Sequence, residues 1–564
     1  MELLIADTAG IQPYIFGSNR LRENIGASFL VDQATGEWAL DALRQVTAGC
    51  CNVRGDASLS LDPVWQIENP ANGAGAEVIY TGGGNFVGLF GSAGMAQRFE
   101  RALSLRILTD APGLDLAIWR CAFDWGRDSL PVALDDLLRR LARHKQARPR
   151  HPPLAGLSVT QVCRSTGLPA VSESVKGTER RAVSAEILAK LAVTDHRRQQ
   201  QSRAERRLSE FVGIEQGEFV FPRDIDDIGT TRGANSYMAV VHADGNGMGE
   251  RLRQAVAAAA GGTRGQIAAL RGFSEAVTDA GRAALRDMIE HLLISVDKTG
   301  NPTIRDPGLS EPIRLASETD LDDGSFTGRW FIPLRPLVFG GDDVTFVAEG
   351  RIGLALAVAF LEGFARHTAD LPGERIPASA CAGVAIVKAS RPFAGAYALA
   401  QELCASAKTY RRERKISGGC LDWHFSSTAT GVSLATLRAR EYGVRFDDGA
   451  EHSLLLRPVA LAADPATTSG GTWPTVLSAI QAFQQEGWSE RRNKAKALRD
   501  ALRGGPDAVH WFCVKYLNNG SLPTLTGGLE NWPHLGWHGT RCGYFDAIEI
   551  FDRFISLNRI GASA

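Results

Sequence analysis

Residues 337–347 read LVFGGDDVTFV, with two apolar, β-prone runs on either side of the tetrad Gly340-Gly341-Asp342-Asp343. Alternating β-branched and aromatic residues around two glycines predict a β-hairpin with both carboxylates at its tip. Adjacent aspartates repel each other and stay ionised at low cost only where water or a cation neutralises them. The tip is therefore either a magnesium site or a solvated turn, since glycine and aspartate are also ordinary turn residues.

A further acidic position lies upstream, in residues 236–249, which read SYMAVVHADGNGMG. An apolar strand there ends at Asp244, and the glycines that follow allow the backbone to approach a ligand closely. We predict that Asp244, Asp342 and Asp343 are catalytic and converge on two metal ions, which would stabilise the attacking and leaving oxygens of phosphoryl transfer. The prediction fails if Asp244 points away from Asp342, or if a lysine fills the gap between them.

The composition sets the broad class of the protein. The chain has 564 residues, of which 44% are hydrophobic, and this predicts several domains with ample core. Its formal net charge of −1 provides no overall field that would attract nucleic acid or a membrane surface. The nine cysteines form no CxxC pair and no ligand ladder with histidines, a pattern typical of reduced thiols in a cytoplasm. The first residues are acidic and the apolar runs are short, so we expect no signal peptide, no membrane span and a cytoplasmic location.

One order of predicted elements, strand-helix-strand-strand-helix-strand-helix, occurs twice along the chain. The first copy covers residues 3–7, 24–43, 77–90 (a hairpin), 94–108, 114–123 and 131–144, and the second covers residues up to 244, 273–294, 337–347, 352–366, 378–388 and 392–411. This duplication predicts an α+β fold with two ferredoxin-like, or palm, domains. Asp7 aligns with Asp244, and Gly84-Asn85 align with Asp342-Asp343, so only the second copy carries the tip carboxylates. The first copy is then a substrate-binding or structural partner, or a repeat kept only for packing.

We predict four parts, which are a degenerate first palm over residues 1–150, a connecting segment over 151–233, the second palm over 234–430 and a helical C-terminal domain over 431–564. Helical patterns at residues 473–483, 489–502 and 506–516 support the last of these. Residues 297–332 are rich in Gly, Pro and Asp, and we expect them to form an exposed insertion before the hairpin.

Two further residues are candidates for contacts with phosphate. Lys408 lies beside the apolar stripe of the helix over residues 392–411, near its end. Its ammonium group could reach a triphosphate, or it could merely complement the helix dipole. Ser274 stands at the predicted start of the helix over residues 273–294, where it could bond a phosphate or ribose, or cap the helix.

Taken together, these residues resemble a known family. The strand ending at Asp244, the hairpin with Gly340-Gly341-Asp342-Asp343 and the helix over residues 398–408 resemble the palm of diguanylate cyclases and class III nucleotide cyclases. The resemblance is closest to the large polymerase-like subunit of type III CRISPR effector complexes. Two palms, a first-palm tip of Gly82-Gly83-Gly84-Asn85, the opening stretch IQPYIFGSNRLRE at residues 11–23 and a helical C-terminal part all resemble that subunit.

The resemblance implies an activity and a set of site residues. Members of the family join ATP into cyclic oligoadenylates, which are second messengers in antiviral defence. It implies that Mg²⁺ or Mn²⁺ is held by the carboxylates of Asp244, Asp342 and Asp343 and by the carbonyl of Gly245. It also implies contacts with the donor triphosphate from Ser274 and Lys408, and contacts with the acceptor nucleotide from Gly83, Gly84 and Asn85. Gly245, Gly340 and Gly341 are expected to bind substrate as well. The resemblance further implies that the partners are subunits of a guide-RNA effector complex, or target RNA as an activator. Whether the chain also uses other NTPs or forms a homo-oligomer stays open.

The sequence also departs from the family pattern. No HD nuclease domain is expected before the first palm, so DNA cleavage is not expected. The zinc-binding segment between the palms is reduced to Cys163 and residues 166–169, and Asn246 stands where relatives often carry a further acid. Two other functions stay open, which are a cyclase that makes a cyclic mono- or dinucleotide and a non-catalytic scaffold that binds nucleotide or RNA.

Overall fold

The computed structural model describes the residues 1–55, 59–69, 73–147, 159–176, 179–195, 201–213, 217–229, 236–306, 308–309, 311–319, 326–369, 371, 377–426, 432–446, 449–464, 470–485, 488 and 492–558. They group into two compact units. One consists chiefly of Met1–Phe211 and Gly247–Asp279, and the other chiefly of Val212–Asn246, Ala280–Asp370 and Arg375–Ala564. The three predicted domain boundaries, after residues 150, 233 and 430, fall outside the described residues, so the four-part division stays a prediction.

The first palm is an antiparallel four-stranded sheet with helices packed on it. Its elements are β1 (Glu2–Ala9), α1 (Ile11–Phe16), α2 (Leu21–Thr35), α3 (Glu37–Thr47), β2 (Ala76–Gly82), β3 (Asn85–Phe90), α4 (Ala93–Asp110), β4 (Asp115–Ala122) and α5 (Leu130–Ala147). The strand order is β2-β3-β1-β4, the order of a ferredoxin-like sheet. Leu3, Ile5 and Ala6 of the central strand are at most 1% exposed, because strands pair with both of its edges and α2, α4 and α5 pack on it.

The helix predicted over residues 24–43 is in fact two helices, α2 and α3, which meet at Gly36. The backbone of Gly36, at φ −91° and ψ −111°, is not helical, so the hydrogen-bond ladder of α2 ends there and that of α3 begins. The apolar pattern alone did not reveal this break, because it continues on both sides of the glycine.

Short elements connect the two palms. They are β5 (Ser172–Lys176), β6 (Glu179–Val183), α6 (Ala185–Ala192), α7 (Arg203–Val212) and β7 (Phe219–Val220). β5 and β6 form an antiparallel hairpin. Cys163 is fully buried beside Val183 and Ile187, so in this structure the thiol belongs to a small apolar cluster.

The second palm and the elements inserted in it follow. They are β8 (Tyr237–Gly245), α8 (Met248–Ala257), α9 (Gly262–Ile294), β9 (Val296–Asp297), β10 (Thr303–Ile304), β11 (Ile313–Arg314), β12 (Ser317–Thr319), β13 (Phe326–Phe331), β14 (Leu334–Gly340), β15 (Asp343–Glu349), α10 (Gly353–His367), β16 (Ala380–Lys388), α11 (Phe393–Arg414) and β17 (Cys420–Ser426). The rest of the chain is mainly helical, as predicted. It contains α12 (Leu434–Tyr442), β18 (Gly443–Arg445), β19 (Glu451–Ser453), β20 (Val459–Ala460), α13 (Trp473–Gln484), α14 (Arg492–Arg503), α15 (Pro506–Tyr516), α16 (Trp532–Leu535), β21 (Trp537–His538), β22 (Arg541–Cys542) and α17 (Phe545–Ile550).

The sheet of the second palm has the strand order β14-β15-β8-β16-β17-β20. Its first four strands repeat the order and the antiparallel pairing of the first palm. β17 pairs parallel with β16, and the short β20 pairs with β17, so C-terminal residues extend the palm sheet. The prediction of an α+β fold with two ferredoxin-like palms and a helical C-terminal part is confirmed.

Two sequence-based expectations in this region are wrong. The described residues within 297–332 are not simply an exposed insertion, because they form the short strands β10 to β13, and Ile304 and Ile313 are fully buried. The long helix begins at Gly262 and not at residue 273. Several glycines in its first turns weaken the helical signal in the sequence, which hid this start.

None of the helices formed by the described residues combines the length and apolarity needed to cross a bilayer. All nine cysteines lie within the described residues and are free thiols, and Cys50 is the one classed as exposed.

Candidate active site

Two strand ends and one turn carry the three predicted catalytic carboxylates. Ala243 of β8 lies opposite Val344 of the antiparallel β15. Asp244 follows Ala243 and Asp343 precedes Val344, so both acids lie at the same end of the sheet. The turn between β14 and β15 is closed by the pair Gly340 and Asp343, and Asp342 lies within it. The backbone N–H of Gly245 donates a 3.1 Å hydrogen bond to the carbonyl of Asp342, which ties the end of β8 to the turn. The hairpin therefore has the predicted form, with both acids at its tip.

Lys408 of α11 binds one of these acids. Its Nζ lies 2.6 Å from Oδ2 of Asp244 and donates a 2.9 Å hydrogen bond to the carbonyl of Gly245. The helix reaches this position because it packs closely on β16. A Cβ atom at Gly383 would lie only 2.1 Å from the carbonyl oxygen of Ala400, so only glycine permits the contact.

The electrostatics indicate three acids that share too little positive charge. Burial, and then the charge of Asp244, raise the pKa of Asp342, while Lys408 lowers it. The pKa of Asp343 is raised to about 7 by burial and by the charges of Asp244 and Asp342. One lysine therefore does not compensate the cluster, and an added cation would lower both pKa values.

Asp343 has an unsatisfied oxygen. Its side chain is 48% exposed, yet Oδ1 is buried and accepts no hydrogen bond. Nδ1 of His242 is 3.4 Å from this oxygen and lies 3.1 Å from the hydroxyl of Thr345. Burial lowers the pKa of His242 to about 4, so the imidazole is neutral at pH 7 and does not neutralise the carboxylate.

The chemistry of the donors can be compared with the needs of a divalent metal ion. Carboxylate oxygens and a backbone carbonyl are the hard ligands that Mg²⁺ and Mn²⁺ prefer, and a buried carboxylate oxygen without a partner suits such a ligand. Among the described residues, however, no group of three or more His, Cys, Asp or Glu side chains is arranged to hold a metal ion. In addition, Lys408 occupies an oxygen of Asp244 that a metal ion would need, and this argues against a metal at that carboxylate. The donor types therefore suit a divalent cation, but binding one would require the carboxylates to close on it and Lys408 to leave Asp244.

Sequence reasoning missed several residues around the carboxylates. His242 was taken as part of an apolar strand, and Tyr397 was not singled out, yet their rings meet edge to face at 5.7 Å beside Asp343. Asn246 is buried and donates a 3.0 Å hydrogen bond to the hydroxyl of Ser379, so it serves the structure of the strand end.

Gly281 of α9 was also missed. A Cβ atom there would lie 1.9 Å from the carbonyl oxygen of Gly341, so the helix backbone packs directly against the tip of the hairpin. A glycine inside a helix is a recognisable signal of such close approach, although the sequence does not show what approaches.

The remaining predicted site residues lie in the other compact unit. Ser274 is in the interior of α9, where its carbonyl accepts a 2.9 Å hydrogen bond from Thr278, so it does not cap the helix as one alternative held. Gly83 and Gly84 have positive φ angles at the first-palm tip, and Nδ2 of Asn85 donates a 3.4 Å hydrogen bond to the carbonyl of Gly83. Their roles in nucleotide binding stay predictions.

Comparison with known proteins gives one family match, over residues 237–416, to the second palm domain of Cas10/Cmr2. No curated protein matches the chain by sequence. Among solved structures, the Csm1-Csm4 cassette in complex with cA4 is similar to 98% of this chain and 69% of that chain, with a TM-score of 0.50 and 13% identity. The same cassette in complex with AMPPNP gives the same coverage and TM-score at 14% identity, and in complex with pppApA at 12% identity. At such identities the structures support the fold alone, and together with the family match they confirm the resemblance found in the sequence.

Proposed function

We propose that the chain, whose residues 237–416 match the second palm domain of Cas10/Cmr2, is a metal-dependent nucleotidyltransferase that joins ATP into cyclic oligoadenylates. The product class would act as a second messenger in a type III CRISPR-like defence. The proposal depends on one observation, which is the placement of Asp244, Asp342 and Asp343 at one end of the sheet, within reach of one another's charge.

The carboxylates of Asp244, Asp342 and Asp343 and the carbonyl of Gly245 would hold Mg²⁺ or Mn²⁺. When bound, the metal neutralises charge on the attacking and leaving oxygens of phosphoryl transfer. Lys408 would exchange its contact with Asp244 for oxygens of the donor triphosphate, because the carboxylate and the phosphate are both anions that an ammonium group binds. Gly340 and Gly341 at the tip have no side chains, and a Cβ atom at Gly340 would meet nothing within 4 Å, which would allow a nucleotide to approach the backbone there.

The neutral His242 and the aromatic Tyr397 would line one side of this site with uncharged rings. Burial raises the pKa of the Tyr397 phenol, so it stays protonated at any physiological pH. An aromatic, uncharged wall beside Asp343 would exclude water from the metal side and strengthen the electrostatic interactions there.

The neighbouring cassettes support the choice of substrate and partner. These structures are complexes with AMPPNP, pppApA and cA4, and they contain a second protein, Csm4. By analogy with these structures, we propose that this chain binds ATP as substrate. Its partners would be other effector subunits, and target RNA would be its activator.

The test measures products by mass spectrometry after incubation with an equal mixture of the four NTPs and Mg²⁺ or Mn²⁺, with and without single-stranded RNA. We expect adenylate oligomers in cyclic form from the wild-type chain and none from Asp342→Ala/Asp343→Ala. A matched control is Asp135→Ala/Asp136→Ala, which removes another adjacent pair of acids on an exposed face of α5 and should leave the products unchanged.

Each other result has a definite meaning. Product from Asp342→Ala/Asp343→Ala at the wild-type rate would remove the carboxylates from the chemistry. A cyclic mono- or dinucleotide would favour the simpler cyclase. ATP binding that depends on Mg²⁺ but yields no product under any of these conditions would favour the non-catalytic scaffold.

A further inference from the structure

A cleft of about 570 Å³ lies in the C-terminal part of the second unit, among α12, α14, α17 and the end of β17. Its floor is apolar and buried, since Tyr442, Ala495, Ile548 and Phe551 are each 7% exposed or less. Ligand pockets of this size and mixed lining hold small organic molecules. The cleft plays no part in the site proposed above.

Five cations line the cleft. They come from three different elements, with Arg440 on α12, Arg553 after α17, and Lys496, Arg499 and Arg503 on α14. The three on α14 are spaced by three and four residues, so they share one helical face. Lys496 and Arg499 are exposed, and neither has an acidic partner in the part of the chain that the structure describes.

The acids of the cleft are already engaged. Glu549 accepts a 2.6 Å hydrogen bond from the hydroxyl of Tyr442 and a 2.8 Å hydrogen bond from the buried Arg457. Glu441 pairs with Arg440 at 3.0 Å, and Asp552 lies 3.7 Å from Arg553. The positive charge of Lys496 and Arg499 is therefore left for a ligand.

Arg553 is held rigidly at the edge of the cleft. Its guanidinium lies over the rings of Phe425 and Tyr237, at 4.5 Å and 4.8 Å from their centroids. Arg503 is also fixed, by a 2.9 Å hydrogen bond to the carbonyl of Glu441 and by the ring of Phe545. These two guanidinium groups are therefore engaged by the protein itself, which leaves the exposed Lys496 and Arg499 as the cations that can meet an anion.

We propose that this cleft is a second nucleotide-binding site, in which the phosphates meet Lys496 and Arg499 and the base or ribose lies on the apolar floor. The ligand is either a free nucleotide or one nucleotide of a single-stranded RNA, since both present the same chemistry. The inference does not depend on the proposed activity, because the cleft shares no residue with the carboxylate cluster.

The test is binding measured by calorimetry in metal-free buffer, in the Asp342→Ala/Asp343→Ala background. ATP, inorganic triphosphate and a short oligoadenylate RNA are titrated separately. We expect saturable binding of ATP with one site per chain, and binding that is weaker for triphosphate because it has no group for the apolar floor. Tighter binding of the RNA than of ATP would identify RNA as the source of the nucleotide.

Lys496→Gln/Arg499→Gln should weaken binding of ATP by at least about tenfold, since two hydrogen bonds to charged groups are lost. The matched control is Arg98→Gln/Arg101→Gln, an exposed pair with the same spacing on α4, which should change the affinity by less than about twofold. Equal affinities of the two double variants, or no saturable binding, would overturn the proposal. Triphosphate binding as tight as that of ATP would overturn the assignment of a nucleotide.

Discussion

In the first palm, β2 and β3 slip register at Ile79, and in the second palm β14 and β15 slip at Leu337. The two bulges stand at equivalent positions relative to the tips of their hairpins. Each palm also closes its tip with the same backbone contact, from Thr8 to the carbonyl of Gly84 at 3.0 Å and from Gly245 to the carbonyl of Asp342 at 3.1 Å. The duplication thus extends to irregularities that packing alone would not impose.

One side-chain contact is repeated as well. Lys145 near the end of α5 pairs with Asp7, as Lys408 of α11 pairs with Asp244. Burial raises the pKa of Asp7 in spite of this lysine. The acid at the strand end and its lysine are therefore common to both palms, and the difference lies in the turn, where Gly84 and Asn85 replace Asp342 and Asp343. The comparison shows that the two palms share a scaffold and differ at two residues of one turn, on which the proposed chemistry depends.

The strongest test of this comparison exchanges the shared acid. Asp244→Asn should lower the rate of product formation by about a thousandfold or more, because several kcal/mol of charge stabilisation by the metal would be lost. Asp7→Asn removes the equivalent acid of the first palm and should change the rate by less than about threefold. Initial rates with labelled ATP measure both. Similar losses in the two variants would show that the first palm also takes part in the chemistry.

The shared lysine gives a finer test, with two readouts. Lys408→Ala should lower the rate by roughly ten- to a hundredfold, the loss expected for a hydrogen bond to a charged phosphate. It should also lower the Mn²⁺ concentration needed for half-maximal binding, because Asp244 is freed from its ion pair. Lys145→Ala should leave both quantities unchanged. Weaker metal binding in Lys408→Ala would contradict the view that lysine and metal compete for Asp244.

The packing behind the second tip can be probed with two glycines of one helix. Gly281→Ala should destabilise the protein by about 1–3 kcal/mol and reduce activity, because the methyl group would overlap the carbonyl of Gly341. Gly272→Ala is the matched control, since nothing lies within 4 Å of a Cβ atom there. It should leave activity unchanged and stabilise the helix by up to about 1 kcal/mol. Urea unfolding and initial rates measure the two effects, and equal behaviour of the two variants would remove Gly281 from the support of the tip.

The last test, which measures stability and not activity, concerns β17, a strand without a counterpart among the described strands of the first palm. His424 on this strand is 1% exposed, and burial followed by the charges of Arg457 and Arg438 lowers its pKa to about 3. The unfolded chain binds a proton there below about pH 6.5 and the folded chain does not, so stability is lost as the pH falls. Between pH 8 and pH 5 this histidine should cost about 2 kcal/mol.

Urea unfolding at the two pH values checks this, with His424→Asn as the variant. The substitution should reduce the difference in unfolding free energy between pH 8 and pH 5 by about that amount. An unchanged difference would mean that His424 is protonated in the folded state.

The hairpin, the strand ending at Asp244 and the repeated order of elements could be predicted from the sequence. The alternation of apolar residues in strands and their spacing in helices are local signals. The sequence was not sufficient for the partner of Lys408, since that depends on how closely α11 packs on β16 at Gly383. His242 was missed because a histidine in an apolar strand has no local signature of its environment. The start of α9 was misplaced because its glycines oppose the helical pattern, and Ser274 was therefore put at the wrong place in the helix.

The backbone of the first tip limits what substitutions alone could achieve there. Gly82, Gly83 and Gly84 all have positive φ angles, whereas in the second tip Gly341 has one and Asp342 does not. An aspartate at position 84 would occupy a conformation that favours glycine, and its Cβ atom would lie 2.8 Å from the hydroxyl oxygen of Thr8. Introducing aspartates at positions 84 and 85 would therefore not by itself give the first palm the turn of the second, because the backbone at position 84 would also have to change. The two tips are therefore not interchangeable by exchange of their side chains alone.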